Sequence, residues 1–384
     1  MKRHPRLTIV LAIALVVGVG LVAASAASAG SNLKLVAGGL DNPRGLTFGP
    51  DGTLYVALGG SGGTMQTATP PPPKCTQVPA PIGPYTGGFT ASIVKVGLNG
   101  SVTPFVTGLP SSTAGLGFTS GVADVKFVDG TLYAMTTGAG CSHGLLGTSN
   151  EILRVGPNGT TTPVANLSDW SLHHPVANPE PDDFEPDGTW YSMTSFQGDI
   201  YAVEPNHGEV VQVDPNTGSI SRVVDVSASQ GHIVPTAIAH FSLYDNLFGG
   251  LFRGLIGNFT VGNLNTFPID PGSSQLMQVN VNGSLRVIST GFSTILGLVY
   301  DSVGNLYVLE SMTAPGFPGA QEFGTGTILR VSPIGQRTVV ATGLTFPTGM
   351  TMGPDGALYV SNLGFAGPGM GQIVRVDLGR ASLP

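Results

Sequence analysis

Charged side chains are scarce in this 384-residue chain, at 10% of all residues, against about 25% in typical soluble domains. Lysine and arginine together number 16, aspartate and glutamate 23, and the net charge is −7. A nucleic-acid-binding protein needs a basic face, so this composition excludes that class. It also excludes a coiled coil and a disordered acidic tail, which are both rich in charged residues.

Glycine and proline are abundant instead, at 57 and 30 residues, and apolar residues make up 41% of the chain. The apolar fraction is enough to bury a sizeable core. Frequent glycine and proline mark turns between short elements. The composition therefore predicts a weakly charged, turn-rich β-protein.

The first thirty residues have the pattern of a targeting segment. Lys2, Arg3 and Arg6 precede an apolar run over residues 7–24, and two small-residue sites follow, with cleavage expected after Ala26 or Ala29. This pattern predicts a signal peptide over residues 1–29 and an exported, extracytoplasmic protein, periplasmic or extracellular. The run is long enough that an uncleaved N-terminal anchor stays an alternative. No second apolar stretch is long and uncharged enough to span a membrane.

Two short motifs recur along the rest of the chain. GPDGTLYV at residues 49–56 returns as GPDGALYV at 353–360, with looser copies at 128–134, 196–202 and 302–308 and a degenerate one expected near 244–252. Each copy is a turn followed by an alternating strand, because Asp-Gly supplies a positive φ and aromatic and β-branched residues favour strands. The second motif resembles IVKV and occurs six times, at residues 93–96, 152–155, 210–213, 276–279, 328–331 and 373–376.

With a strand before each first motif and another after each second motif, every unit has four short strands. Six such units predict a single all-β domain over residues 32–378, a six-bladed β-propeller of four antiparallel strands per blade, followed by a tail over residues 379–384. The sixth unit lacks its fourth strand. Residues 33–40 (LKLVAGGL) resemble the fourth strand at 337–344 (RTVVATGL), so we expect the N-terminal strand to complete the last blade and close the ring.

The long connections of such a propeller fall on one face. They include residues 59–91, 137–150, 310–327 and 361–371, and also 109–121 and 166–187. Long loops on one face of a rigid scaffold usually carry function.

Two groups of polar residues are candidate sites. The first is acidic and could hold Ca²⁺, which prefers carboxylate oxygens, although its spacing fits no defined metal motif and a solvated loop is the competing interpretation. Its members are Glu180, Asp182, Asp183, Glu185 and Asp187. The second lies where inner strands begin, at the propeller axis, with Arg44 and Asp124 as candidate ligand-binding residues and His232 and Glu310 directed into the same mouth. The other inner-strand starts are Asp187, Thr236, Thr294 and Thr348.

Several segments resemble one known family. They are residues 42–46, 232–237, 291–310 and 344–350, and together they resemble the ScyD/ScyE family of secreted bacterial propellers, which is similar to NHL-repeat, TolB-like and gluconolactonase-like six-bladed propellers. The resemblance covers most of residues 32–378 and implies the same fold, but it brings no established reaction. The chain departs from the pattern over residues 241–262, where the Asp-Gly turn of the fourth blade is lost.

Cys75 and Cys141 are the only cysteines, and export would place them in an oxidising compartment. They lie in corresponding connections of adjacent blades, so we expect a disulfide between them. A metal or redox pair of free thiols is the alternative.

Taken together, these patterns predict an exported monomer that acts as a binding module rather than an enzyme. Its partner would be a small molecule, a polysaccharide or a protein. The alternative is a cation-dependent hydrolase or lyase of the gluconolactonase type, with Ca²⁺ or Zn²⁺ at the axis.

Overall fold

The computed structural model describes residues 32–68, 75–182, 184–241, 258–314 and 323–379. The predicted signal segment therefore lies outside the described residues, as do Asp183 and the last residues of the tail. No helix in the part described is both long and apolar enough to cross a membrane.

The short turns that the repeats predicted are present. Gly52 has a φ of +78°, and the Asp51 carboxylate beside it accepts a 3.0 Å hydrogen bond from the Thr53 backbone N–H. Asp129 and Gly130 both have positive φ, as in the primed turns that match the twist of paired strands. These turns set the register of the strands on either side.

The strands form six antiparallel sheets, which confirms a six-bladed propeller. The chain starts with β1 (Leu33–Leu40). The first blade contains β2 (Pro43–Phe48), β3 (Leu54–Leu58), β4 (Thr86–Val96) and β5 (Val102–Thr113), with a short extra strand β6 (Thr119–Ser120). The second contains β7 (Val122–Val128), β8 (Thr131–Thr136), β9 (Glu151–Val155) and β10 (Thr161–Asn166). The third contains β11 (Ser192–Phe196), β12 (Asp199–Glu204), β13 (Glu209–Val213) and β14 (Ile220–Asp225).

The remaining blades follow the same order. The fourth contains β15 (Pro235–His240), β16 (Asn258–Asn263), β17 (Ser274–Asn280) and β18 (Leu285–Phe292). The fifth contains β19 (Ile295–Tyr300), β20 (Leu306–Glu310), β21 (Gly326–Val331) and β22 (Arg337–Leu344). The sixth contains β23 (Gly349–Met352), β24 (Leu358–Asn362) and β25 (Gly371–Val376).

The N-terminal strand closes the ring, as predicted. β1 is the outer strand of the sixth blade and pairs antiparallel with β25, with Leu33 opposite Val376 and Leu40 opposite Gly371. Lys34 Nζ also lies 2.7 Å from Asp377 Oδ2. The hydrogen-bonding edge of β25 is therefore covered.

The hydrophobic core is divided into six large clusters, each lying between two neighbouring blades. One cluster joins Met135 and Ile152 of the second blade to Trp190 and Val211 of the third, and another joins Leu54 of the first blade to Tyr359 of the sixth. Both faces of a blade are therefore buried against neighbours, which explains the apolar runs of the inner and middle strands. Each blade is stabilised by the two beside it.

In the described connections between blades, two short helices are present where loops were expected. α1 (Leu167–His173) begins where the Asn166 side chain accepts a hydrogen bond from the Asp169 N–H, and α2 (Val226–Gln230) is capped in the same way by Asp225. Asn and Asp favour this position because they satisfy free N–H groups of the first turn. The start of the long connection over residues 166–187 is thus helical.

The fourth blade lacks a clear copy of the first motif, the turn and strand that begin with Asp-Gly. The second strand was expected near residues 244–252, which lie outside the described residues, whereas the strand that pairs with β15 is β16. Phe259 and Val261 of β16 are buried, so the alternating pattern survives without the Asp-Gly turn.

Candidate functional site

The connections that enter an inner strand and those that join the second and third strands lie at one end of the propeller, which we call the loop face. The opposite end, with the short turns, is the turn face. Each inner strand packs against the inner strands of both neighbours. Between them lies an axial cavity of about 40 Å³ lined by residues of all six blades, among them Gly45, Asp124, Tyr191, Ala237, Gly297 and Thr348. This volume accommodates a few water molecules.

Arg44 lies at the loop-face end of the axis and is 7% exposed. Its Nη1 donates a 3.0 Å hydrogen bond to the Gly364 carbonyl oxygen, and its Nη2 donates to the Thr119 carbonyl oxygen. The Phe365 ring covers one face of the guanidinium, with 4.4 Å from Cζ to the ring centroid. Burial lowers the pKa of Arg44. Arg44 thus connects a loop of the sixth blade to the loop that enters the second.

Asp124 joins three blades. Its Oδ1 accepts a 2.8 Å hydrogen bond from the Val125 N–H, and its Oδ2 accepts one of 2.8 Å from the Met193 N–H of the third blade. Gly45 of the first blade makes room for it, because a Cβ there would lie 1.9 Å from Asp124 Oδ1. Burial raises the pKa of Asp124 to about 6, although Lys126 and the two N–H groups oppose the shift.

Tyr191, which the sequence analysis missed, lies beside them. Its hydroxyl donates a 3.0 Å hydrogen bond to the Thr348 carbonyl oxygen, and burial raises its pKa. Asp187 was expected to start the inner strand of the third blade, but that strand begins at Ser192. The expectation was wrong because Asp187 lies in a turn, closed by the 2.8 Å hydrogen bond from the Gly188 N–H to the Glu185 carbonyl oxygen, upstream of the strand.

The threonines at the other inner-strand starts connect parts of the ring. Thr236 donates to the Ile295 carbonyl oxygen of the next blade, and Thr348 Oγ1 donates to that of Pro43 at 2.6 Å. Thr294 Oγ1 donates to the Met312 carbonyl oxygen at 2.8 Å.

These contacts allow a test of whether the axis fits a divalent cation. Among the described residues the inner-strand starts offer one carboxylate, Asp124, which already accepts two backbone N–H groups, beside the cationic Arg44. Hard cations such as Ca²⁺ take six to eight oxygen ligands from carboxylates, carbonyl groups and water, and positive side chains close by oppose their binding. The donor set at the axis does not fit such an ion.

Two residues of the acidic cluster, Glu185 and Asp187, share one network through Ser142 and His143. Glu185 is buried, and it accepts a 2.6 Å hydrogen bond from the Tyr85 hydroxyl and lies 3.1 Å from His143 Nε2. Asp187 Oδ2 accepts bonds from the Ser142 N–H at 2.8 Å and from its hydroxyl at 2.6 Å. These carboxylates hold loops of the first three blades together.

The remaining acidic residues point elsewhere. Glu180 Oε2 pairs with His232 Nε2, and its Oε1 accepts a 3.0 Å bond from the Asp182 N–H. Asp182 is exposed, and Asp183 lies outside the described residues. In the part of the chain described, no group of three or more His, Cys, Asp or Glu residues could hold a metal ion.

Glu310 secures a loop. It ends β20, and its Oε1 accepts a 2.7 Å bond from the Ser293 N–H while its Oε2 accepts one of 2.8 Å from the Thr327 hydroxyl. Asn362, which ends the equivalent strand of the sixth blade, accepts a 2.8 Å bond from the Thr345 N–H in the same manner. The repetition shows that this position holds the connection that enters the inner strand.

The predicted disulfide is present. Cys75 and Cys141 are bonded, with 5.7 Å between their Cα atoms and 66 residues between them in sequence. The bond joins the loops of the first two blades on the loop face, beside the Ser142–Asp187 contact.

Aromatic side chains from several blades meet on the loop face around the axis. Phe323 and Phe346 have ring centroids 5.0 Å apart, and Phe118 and Phe365 have theirs 6.0 Å apart. Phe118 and Phe346 both pack against buried Ile269 and Met312. We call four residues the aromatic cluster: Phe118, Phe323, Phe346 and Phe365. Sequence analysis missed it because its members come from four separate loops.

Large apolar side chains are also exposed on the loops of this face. They include Met65, Leu116, Leu146, Phe267, Phe323 and Met370. Phe323, at 61% exposure, extends the aromatic cluster to the surface.

No protein-family model and no curated protein matches the sequence. Solved structures do match. A glucose dehydrogenase has a TM-score of 0.54 at 12% identity, over 90% of this chain and 99% of that chain. A gluconolactonase from Xanthomonas campestris has a TM-score of 0.52 at 11% identity, over 90% of this chain and 89% of that chain. A luciferin-regenerating enzyme has 0.51 at 10% identity, over 91% and 95%. At these identities the likeness shows the fold alone, and the chain has a gluconolactonase-like six-bladed propeller fold.

Proposed function

We propose that this protein is a binding module that engages a partner protein through its loop face. The observation that carries the proposal is the aromatic cluster, which is continuous from buried Met312 to Phe323 at the surface. Contiguous exposed apolar surface marks interaction sites in soluble proteins. Phe and Met are also enriched at protein interfaces, and charged residues are depleted at their centres.

The axial cavity itself is too small to hold a ligand of ordinary size. Its volume of about 40 Å³ is far below the roughly 300–1,000 Å³ of ligand pockets. The apolar side chains, in contrast, are spread over loops of several blades. A broad face of this kind suits a second macromolecular surface.

The loop face is held in place by covalent and polar contacts. The Cys75–Cys141 disulfide and the buried contacts of Glu185 and Asp187 connect loops of three blades. A surface that is already ordered loses less conformational entropy on binding. This rigidity supports a recognition role for the loops.

The proposal also covers the cellular location of the protein and the family to which it belongs. A disulfide is typical of exported proteins, so we place the protein outside the cytoplasm, as the N-terminal segment predicts. We also place it with the ScyD/ScyE propellers on the strength of the sequence resemblance.

A cation-dependent hydrolase is the competing function, which the names of similar structures such as the gluconolactonase suggest. The axial donor set of one carboxylate beside Arg44 does not support it. Lactone hydrolysis by the purified protein that is abolished by a chelator and restored by Ca²⁺ or Zn²⁺ would overturn the binding proposal.

Affinity capture with paired surface variants tests the binding function. Phe323 and Ile334 lie at opposite ends of β21, at the loop face and the turn face, and are 61% and 90% exposed. We expect Phe323→Ser to lose a partner that the wild type retains from the medium of producing cells. Ile334→Ser removes similar exposed apolar surface and should retain it. Equal retention by both variants, or loss in both, would contradict a loop-face site.

A further inference from the structure

Arg44 is buried at the centre of the loop face without an anionic partner. Its hydrogen-bond acceptors are the carbonyl oxygens of Gly364 and Thr119, which carry no net charge. Among the residues that the structure describes, no carboxylate forms an ion pair with it. Arginine is almost never fully buried unless it is paired, because removing a charge from water is costly.

The nearby charged groups do not compensate it. The Asp124 carboxylate accepts hydrogen bonds from the N–H groups of Val125 and Met193, and the cationic Lys126 interacts with it and offsets its negative charge. Tyr191, the titratable group that interacts with Arg44, is neutral at physiological pH, since its ordinary pKa is 10 and burial raises it further. In the described part of the axis, two cations, Arg44 and Lys126, against the single carboxylate of Asp124 leave a net positive charge at neutral pH.

The Arg44 guanidinium has more N–H donors than its two carbonyl contacts use. A guanidinium has five N–H donors in one plane, and the contacts to Gly364 and Thr119 use two of them. Phe365 covers one face of that plane, so an acceptor approaches at the edge, where N–H groups point. Planar oxyanions match this geometry, and carboxylates pair with arginine through two parallel hydrogen bonds.

We propose that Arg44 binds a carboxylate of the partner while the aromatic cluster packs against an apolar group beside that carboxylate. This proposal rests on the proposed function and specifies the chemistry of the partner. The recognised element is an acidic group next to an apolar side chain, either at a C-terminus or within a peptide.

Three short peptides serve as probes. The first is acetyl-Ala-Ala-Phe with a free C-terminal carboxylate, the second is its C-terminal amide, and the third is acetyl-Ala-Glu-Phe-amide, which has an internal carboxylate. Titration calorimetry on the wild type should show the free acid or the glutamate peptide binding about ten- to a hundredfold more tightly than the amide, the usual effect of a charged hydrogen bond. The stronger of the two identifies a terminal or an internal carboxylate as the source.

Variants of two arginines separate binding from structural effects. Arg337 also stacks on a phenylalanine, with 3.8 Å from Cζ to the Phe292 centroid, but it lies on an exposed outer strand. We expect Arg44→Met to lose the preference for carboxylates, Arg44→Lys to keep part of it, and Arg337→Met to keep all of it. Melting curves establish that each variant is folded.

A measurement on the wild type covers the case in which Arg44→Met does not fold. The ¹⁵N signal of Arg44 Nε should shift on addition of the acid and stay in place with the amide. Equal affinity for acid and amide, no binding of either acid, or an unmoved Nε signal would overturn the proposal. Retention of a partner in the capture experiment by Arg44→Met, with loss in Phe323→Ser, would leave the binding function standing and remove the carboxylate site alone.

Discussion

His143 Nε2 lies 3.1 Å from Glu185 Oε2, and both side chains are buried although 42 residues separate them. Tyr85, from the first blade, donates to the other Glu185 oxygen at 2.6 Å. One carboxylate thus anchors loops of adjacent blades beneath the loop face. Burial opposes charge on both partners. Nevertheless the His143 pKa is raised above 6.5 by Glu185 and Asp187, and the Glu185 pKa is lowered below 4.5 by His143, Thr189 and Tyr85.

The stabilisation by this pair should depend on pH in both directions. The raised pKa of His143 contributes fully below pH 6.5 and is lost as the pH rises through that raised value. The lowered pKa of Glu185 contributes fully above pH 4.5 and is lost as the pH falls through that lowered value. Glu185→Gln should therefore cost most between pH 4.5 and 6.5, roughly 3–5 kcal/mol. Urea unfolding of both proteins across pH 3–10 measures this, and a difference that stays constant with pH would contradict it.

The contribution of Asp124 to stability should change with pH in the direction opposite to that of Glu185. Because its pKa is about 6 in the folded protein against an ordinary 3.8, the folded state holds the proton more tightly, and wild-type stability falls as the pH rises from about 4 to 6. Asp124→Asn lacks this dependence. The substitution itself can change the free energy of unfolding by a constant amount at every pH. Beyond that constant, the free energy of unfolding of the variant should rise relative to that of the wild type by up to roughly 3 kcal/mol between about pH 4 and pH 6. A flat difference would show that Asp124 titrates normally.

Two leucines of β1 test the closure of the ring. Leu40 is 2% exposed and Leu35 is 65% exposed on the same strand. Leu40→Ala should lower the free energy of unfolding by about 2–5 kcal/mol because it leaves a cavity between blades, whereas Leu35→Ala should change it by under about 0.5 kcal/mol. Similar effects from both substitutions would mean that β1 does not pack as described.

Removing the disulfide should destabilise the protein. The bond closes a loop of 66 residues, and the loss of such a restraint on the unfolded chain costs roughly 2–4 kcal/mol. A variant with Cys75→Ala and Cys141→Ala should unfold at correspondingly lower urea. Wild type after full reduction is the control and should match it. Alkylation of two thiols in the untreated protein would contradict the bond itself.

The fold was predictable because each repeat carries its own local signal. Asp-Gly turns, alternating strands and the likeness of residues 33–40 to 337–344 each specify short-range structure, and β1 pairs as that likeness indicated. Where the turn motif was lost, the position of β16 could not be derived from it. The helix at Leu167–His173 was missed although its Asn166 cap is visible in the sequence.

The candidate site was less predictable because it is built from long-range contacts. Sequence grouped Glu180, Glu185 and Asp187 by proximity along the chain, but Glu180 pairs with His232, whereas Glu185 and Asp187 bind the neighbouring residues His143 and Ser142. Glu310, predicted to point into the axial mouth, accepts hydrogen bonds from Ser293 and Thr327, which are distant in sequence. Only the folded ring brings Phe118 beside Phe365, so no local pattern could have revealed the aromatic cluster.

Site-specific photo-crosslinking tests the central claim, that the loop face binds a partner protein, most directly. A benzophenone amino acid would replace exposed apolar residues on the loop face, at Leu116, Phe267 and Phe323, or on the turn face, at Val303 and Ile334. The account predicts one discrete protein adduct from the loop-face positions after irradiation of producing cells, and none from the turn-face positions. Adducts from the turn face, or none from any loop-face position, would contradict it.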